Sequence, residues 1–461
     1  TNSVAMNVDR GITLADAAQA TLTTNSNVTA SGTILVNDAA TLTVTAGTFT
    51  LNDDGDQTVD FDRQSVFNLT LNNTGGGTND DVIVAGGSLN LSGALTVTLG
   101  NVDLTTNSQP LFVDGGVTLA DAAQATLTTN SNVTASGSIL VNDAATLTVT
   151  AGTWTLNDDG DQTVDFDRQS LFHLTLNNTG GGTNDDVIVN GGSLNASGAL
   201  TVTLGNLDLS TNDQPLFVES GITVANAAQA TLTSDANVTA SGSISIGASG
   251  GWDVSGSATL AMNGIDQEVD LNNLSVPSFT IASSSGTTLT DFLKVTGTVQ
   301  VNTGSNLTLG ANTLSVTGGT IINYAVIAQN TGKIVHTPDS FIIANSAYAE
   351  TTGFSAGSTV YFSLSDGDEN TNGTSAQSVT MTLTTSNGDS ETVTLTETGN
   401  AAGVLRSSLA SADVSGGSVV TGNSRIDVAG GEITITISFT DGQDAITSTD
   451  TATIAVASSS S

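Results

Sequence analysis

The chain reads as all-β: a parallel β-helix (β-solenoid) over most of its length, then a β-sandwich at its C-terminal end. A repeat is the first reason. Thr1-Asn2-Ser3 recurs as Thr106-Asn107-Ser108 and as Thr211-Asn212-Asp213, and Gly11-Ile12-Thr13-Leu14 recurs as Gly116-Val117-Thr118-Leu119 and Gly221-Ile222-Thr223-Val224. The offset is 105 each time (116 − 11 and 221 − 116). Adjacent near-duplicates are the mark of a unit that buries its apolar face only against a neighbour. The second reason is period-two patterning, as in Thr41-Leu42-Thr43-Val44-Thr45 and Leu95-Thr96-Val97-Thr98-Leu99, with β-branched residues that favour strands. The third is punctuation by Gly, Asn, Asp and Ser, residues that form tight turns.

The elements follow in order. Residues 1–105 and 106–210 form two nearly identical β-helix blocks, and residues 211–320 form a third, diverged one. Each block holds several coils, with Val, Leu, Ile and Ala turned inward and Thr and Ser outward. A string of three separate β-sandwiches is the alternative, because regular short strands suit sandwiches too. The β-helix is preferred because no Pro-rich or charged linker separates the blocks. The stretch Asp16-Ala17-Ala18-Gln19-Ala20 has a faint helical look but is too short to stand alone. Residues 321–349, with Lys333 and His336, close the last coil and pass the chain onward. From about residue 350 the composition shifts, and residues 350–457 carry about seven alternating segments, the pattern of an immunoglobulin-like sandwich. Residues 458–461 are a Ser tail.

Composition bounds function. Of 461 residues only 11% are charged, against about 25% in ordinary domains. The charge present is one-sided, with 7 Lys+Arg against 44 Asp+Glu, a net −37. Nucleic acid is therefore not expected as a partner, since phosphates need clustered cations. Cysteine is absent, so no disulfide staples the fold. No apolar run reaches the roughly 20 residues of a membrane span, and no signal-peptide pattern opens the chain. Thr1 lies in phase with the block boundaries, as a mature end would.

The wording of the blocks adds a resemblance. Asp56-Gln57-Thr58-Val59-Asp60, Phe67-Asn68-Leu69-Thr70-Leu71-Asn72-Asn73, Gly87-Ser88-Leu89 and Leu95-Thr96-Val97 resemble a unit of bacterial and archaeal cell-surface proteins, the adhesin-like and filamentous-haemagglutinin-like β-helices. The second block repeats it as Asp161-Gln162-Thr163-Val164-Asp165 and the third echoes it as Asp266-Gln267-Glu268-Val269-Asp270. The resemblance covers residues 1 to about 320 and implies an extracellular or cell-surface location, with cell-surface glycans as candidate partners. The C-terminal segments look like a surface-protein module that accompanies adhesin and surface-layer repeats.

Candidate sites are few. Asp53, Asp54 and Asp56, their copies Asp158, Asp159 and Asp161, and Asp366, Asp368 and Glu369 lie in acidic, Gly-bent turns. Calcium takes several oxygens from such loops, whereas solvated turns with side-chain-to-backbone hydrogen bonds are the alternative. His173 stands where the first block has Asn68, and the seven cations are scattered, so no catalytic constellation is read and no enzyme is expected. A β-helix has open strand edges at its ends, which template pairing with another chain. The expected function is a self-assembling subunit of an extracellular filament or surface layer, a homopolymer joined head to tail. Thr1, Asn2 and Ser3 at one end and Thr451, Ile454 and Val456 at the other are the candidate polymerisation residues, the latter as a donated strand. A monomeric adhesin stalk and a polysaccharide-acting β-helix enzyme are the alternatives.

Overall fold

The computed structural model describes residues 4–75, 80–180, 185–337, 340–367, 369–400, 403–414, 417–441 and 447–456. It has two compact units, Thr1–Thr259 and Leu260–Ser461. Among the described residues there is no helix.

The first unit is a parallel β-solenoid with three strands per coil. Val117–Leu119, Ala125–Thr129 and Val133–Ala135 form three sides of one coil. The next strand, Ile139–Val141, returns to pair in parallel with Val117–Leu119. Three separate sandwiches are thereby excluded. The pitch follows from the register: Met6 pairs with Val28, Val28 with Phe49, Phe49 with Leu69 and Leu69 with Leu95, so these coils take 22, 21, 20 and 26 residues (28 − 6, 49 − 28, 69 − 49 and 95 − 69). Alternation then sends every second side chain inward. Val28, Phe49, Leu69, Leu95 and Val117 stack at 0–1% exposure in one such column. Burying a side chain of this kind is worth about 1.5–3 kcal/mol.

The blocks do not hold a whole number of coils. Leu111–Val113 is strand 14 in chain order and its copy Leu216–Val218 is strand 28 (28 − 14 = 14). Fourteen is not a multiple of three. Leu111 stacks on Val133 in one sheet, while Leu216 stacks between Leu194 and Val238 in another. Each 105-residue copy therefore presents the same surface on a different face of the solenoid.

Two internal devices recur at the 105 offset. Phe49 and Phe61 meet edge to face at 5.5 Å, and Trp154 and Phe166 do so at 5.7 Å. Gln57 and Gln162 point inward at 1% and 0% exposure. Gln57 Nε2 donates to the carbonyls of Ala30 and Gly32, and Gln162 Nε2 to those of Ala135 and Gly137, one coil earlier. Gly32 allows this tight turn, since a Cβ there would lie 1.7 Å from the Arg10 carbonyl oxygen. The Asp-Gln-Thr-Val-Asp wording of the repeat thus encodes a turn clamp.

The second unit holds further coils and an antiparallel sheet. Gln267–Asp270, Thr287–Leu289, Asn306–Thr308 and Val326–Ala328 stack in parallel on one face. Lys333–Thr337 is the last solenoid strand and pairs with Thr313–Thr317. The sheet then begins at Ser340–Ala344, which pairs antiparallel with Thr359–Ser365. That start precedes the compositional shift near residue 350, because Ser340-Phe341-Ile342-Ile343-Ala344 carries an apolar run that alternation alone assigns equally to a coil or a sheet. The strand path runs Ser340–Ala344, Thr359–Ser365, Val404–Asp413, Ser390–Glu397, Ser378–Thr385, Ile433–Thr440, Thr447–Ala455, Gly353–Ser355. Its apolar core includes Phe362, Leu383, Ile435 and Ile454, each at 0% exposure.

Candidate functional site: the rim of the first coil and the carboxylate turns

The strands Met6–Val8, Ile12–Leu14 and Thr21–Thr24 form the first described coil, and among the described residues each pairs on one edge only. The backbone alternation defines the open edge. Ile12 N donates to Thr33 O and Leu14 O accepts from Asn37 N, so the amide and carbonyl of Thr13 face the other way. Met6 N donates to Asn27 O and Val8 O accepts from Ser31 N, which turns the Asn7 backbone outward in the same way. Met6, Val8, Ile12, Leu14 and Leu22 lie on the inward side yet are only half-buried. Their counterparts 105 residues on, Leu111, Val113, Val117, Leu119 and Leu127, are 0–1% exposed. There the preceding coil covers them: Leu89 pairs with Leu111 and Leu95 with Val117. Among the described residues, the rim thus combines outward backbone groups at Asn7 and Thr13 with half-buried inward side chains. Thr1, Asn2 and Ser3 lie outside the described residues.

The other expected polymerisation residues are placed differently. Thr451 pairs with Thr436, and Ile454 pairs with Ile433 on one side and Phe354 on the other. Ile454 is fully buried, and Val456, just past the strand, packs against the same core. The strand expected for donation is already used within its own sheet.

The acidic turns use their carboxylates locally. Asp53 Oδ1 accepts from Asp54 N at 2.9 Å and Asp158 Oδ1 from Asp159 N at 2.8 Å. Asp56 Oδ1 accepts from Asp81 N and Asp161 Oδ1 from Asp186 N, both at 3.3 Å, from one coil to the next. Asp60 and Asp165 hold the amides of Asp62 and Asp167, whose positive φ of 46° needs that support. Among the described residues no group of three or more His, Asp and Glu side chains is placed to hold a metal ion. These bonds brace the turns through one oxygen each of Asp53, Asp56, Asp158 and Asp161.

The stretch from Asp366 to Asn370 lies at a junction within the second unit. Asp366 and Asn370 are fully buried, Glu369 is half-buried, and Asp368 lies outside the described residues. The chain here lies against the last solenoid coil. Ile327 N donates to Thr371 O at 2.9 Å, Gly373 N to Ala325 O at 2.6 Å, and Asn323 Nδ2 to Asn370 O at 3.0 Å. His336 joins the same junction through Gly319 O at 2.9 Å and Gly367 N at 3.3 Å. An acidic, Gly-containing loop thus caps the solenoid.

Sequence reasoning missed the best-anchored carboxylates. Burial works against the charged forms of Asp103 and Asp208, but hydroxyl and amide donors from Thr105 and Thr106, and from Ser210 and Thr211, outweigh it and hold both pKa values below the usual 3.8. The signal was present as Asp-Leu-Thr-Thr and Asp-Leu-Ser-Thr, an Asp followed by paired hydroxyls. Asp186 is pushed the other way, by burial first and then by Asp161, Asp208 and Asp185, against a hydrogen bond from Asn206. His173 Nδ1 accepts from Ala199 N at 2.8 Å, the bond that Asn68 Oδ1 makes with Ala94 N, so the substitution preserves one contact. No protein-family model matches the chain, and no curated protein sequence matches it.

Proposed function

We propose that the chain is a self-assembling structural protein of the cell exterior, a subunit of a surface filament or surface layer joined to its neighbours through β-edges. The stacking of one coil on the next carries this reading. Each coil buries its inward column and satisfies its backbone groups against the coil beside it, so a coil edge that meets an edge of a neighbouring copy continues the same pairing. The acidity and scarcity of charge fit an extracellular location.

We read the C-terminal sheet as an immunoglobulin-like sandwich. Ser390–Glu397 and Val404–Asp413 share only two residue pairs, Thr396 with Arg406 and Glu397 with Leu405, which divides the path into two layers. Ser340–Ala344 joins one layer and Gly353–Ser355 the other, as a split first strand does.

The test is a rim that cannot pair. Asn7→Pro with Thr13→Pro removes two outward amides while sparing the bonds to the next coil. Purified wild-type protein forms end-to-end particles in electron micrographs, and its sedimentation depends on concentration. The double variant keeps the wild-type circular dichroism and remains unjoined at the rim. A wild-type protein that stays solitary at every concentration refutes the reading and favours a monomeric adhesin stalk.

A further inference from the structure

A second surface of the first unit has the character of an interface. The outward residues Thr29, Thr50, Thr70 and Thr96 of the first block and Thr118 of the second stack in register through five successive coils. Thr134, Thr155, Thr175 and Thr201 of the second block and Thr223 of the third do the same. Rungs in such a ladder are about 4.8 Å apart, so each row is roughly 19 Å long. Because the blocks hold a fractional number of coils, the two ladders lie on different faces of the solenoid. Thr118 ends the first ladder within the coil where Thr134 starts the second, on another side.

Three properties set these faces apart. They carry almost no charge: two positions to either side of each rung stand only Asn, Thr, Ser, Ala, Gly and one His, in a chain with 44 acidic residues. Acidic residues stand beyond their ends instead, with Asp9 two residues after Asn7, Asp114 two residues after Phe112, and Asp165 stacked on Leu140, itself one coil past Thr118. Large exposed apolar side chains mark their ends. Phe112, 43% exposed, pairs with Thr134, and Leu140, 40% exposed, pairs with Thr118. Phe217, also 43% exposed, takes the same place before Thr239 in the third block.

We propose that the two threonine ladders are lateral docking faces for further copies of this chain, which rests on the self-assembly reading and extends it from end-to-end to side-by-side contacts. A molecule of net charge −37 repels its own copies except where two charge-free faces meet. A row of identical β-branched side chains is self-complementary, since one row interdigitates with another of the same spacing, methyl groups against methyl groups. The terminal Phe and Leu then become covered. Two ladders on two faces give each molecule two different side neighbours, and the lateral product is a layer or bundle.

Mid-ladder charges test this. Thr70→Lys blocks the first face and Thr175→Lys the second, and Thr58→Lys on an acidic stretch is the control. All three make the molecule less negative, so a purely electrostatic account has every one of them promote association. The proposal requires the ladder variants to weaken it by more than about tenfold in critical concentration, with the control unchanged. In micrographs of wild-type protein, molecules pack side by side in two directions. Each single ladder variant retains one direction and the double variant neither. The rim variant Asn7→Pro/Thr13→Pro still packs laterally, so failure of the rim reading and failure of the ladder reading are told apart. Lateral arrays that persist in the double ladder variant overturn the proposal. So does a wild-type protein that never packs laterally but binds a neutral polysaccharide in a Thr70- and Thr175-dependent way.

Discussion

Replacing Gln162 by Leu removes the clamp between successive coils while keeping an inward side chain of similar size. Gln162 is fully buried, and its Nε2 donates to Ala135 O at 3.1 Å and Gly137 O at 2.6 Å. Each net hydrogen bond contributes about 0.5–1.5 kcal/mol. Ala135 O keeps a second donor, Asn157 N at 3.2 Å, so its loss falls at the lower end of that range. The Gln162 Oε1 atom is itself buried without a partner, and its removal returns part of the loss. The expected net destabilisation is about 0.5–1.5 kcal/mol. Urea unfolding followed by circular dichroism measures it, and hydrogen exchange of residues 135–138 localises it. Gln57→Leu, 105 residues earlier, shows the same shift, and the double variant is additive because the two clamps share no partner. A neutral or stabilised Gln162→Leu protein with unchanged exchange refutes the clamp, leaving Gln162 as a tolerated polar residue.

Trp154→Phe recreates the ring pair of the first block and removes an indole Nε1 that is buried without a partner, so its unfolding midpoint stays within about 1 kcal/mol of wild type in free energy, whereas Phe49→Trp destabilises by about 1–3 kcal/mol. Asp103 and Asp208 have pKa values lowered on folding, so the stability they supply is present above the unfolded carboxylate value and is lost as pH falls through their folded values. Acid titration of the Asp103→Asn/Asp208→Asn variant therefore shows a shallower loss of stability below about pH 4 than wild type. Asp53 Oδ1, Asp56 Oδ1 and Asp158 Oδ1 each accept from a backbone amide and so brace their turns, and the expected outcome is that a chelator leaves the melting temperature unchanged; a calcium-dependent rise in it refutes that expectation.

Much of the architecture was legible in the sequence because its signals are local. Alternation in segments such as Leu95-Thr96-Val97 fixes which side chains turn inward, and the 105-residue offset fixes that neighbouring blocks share one geometry. The Asp103 and Asp208 anchors are equally local, each an Asp followed two and three residues later by hydroxyls. Three features depend on how the chain closes on itself. The ladder faces follow from fourteen strands being laid three to a coil, a ratio that turn lengths set and composition does not reveal. Nothing local around Asp366 shows that Thr371 and Gly373, just beyond it, pair with Ile327 and Ala325 of the last coil. The strand Thr447–Ala455 looks free to donate until Gly353–Ser355 occupies its second edge. The sequence alone determined the strands, their inward faces and the repeat. Tertiary structure decided which edges are spent and which directions the repeated surfaces face, because edge pairing joins residues far apart in the chain and no local pattern records the partner.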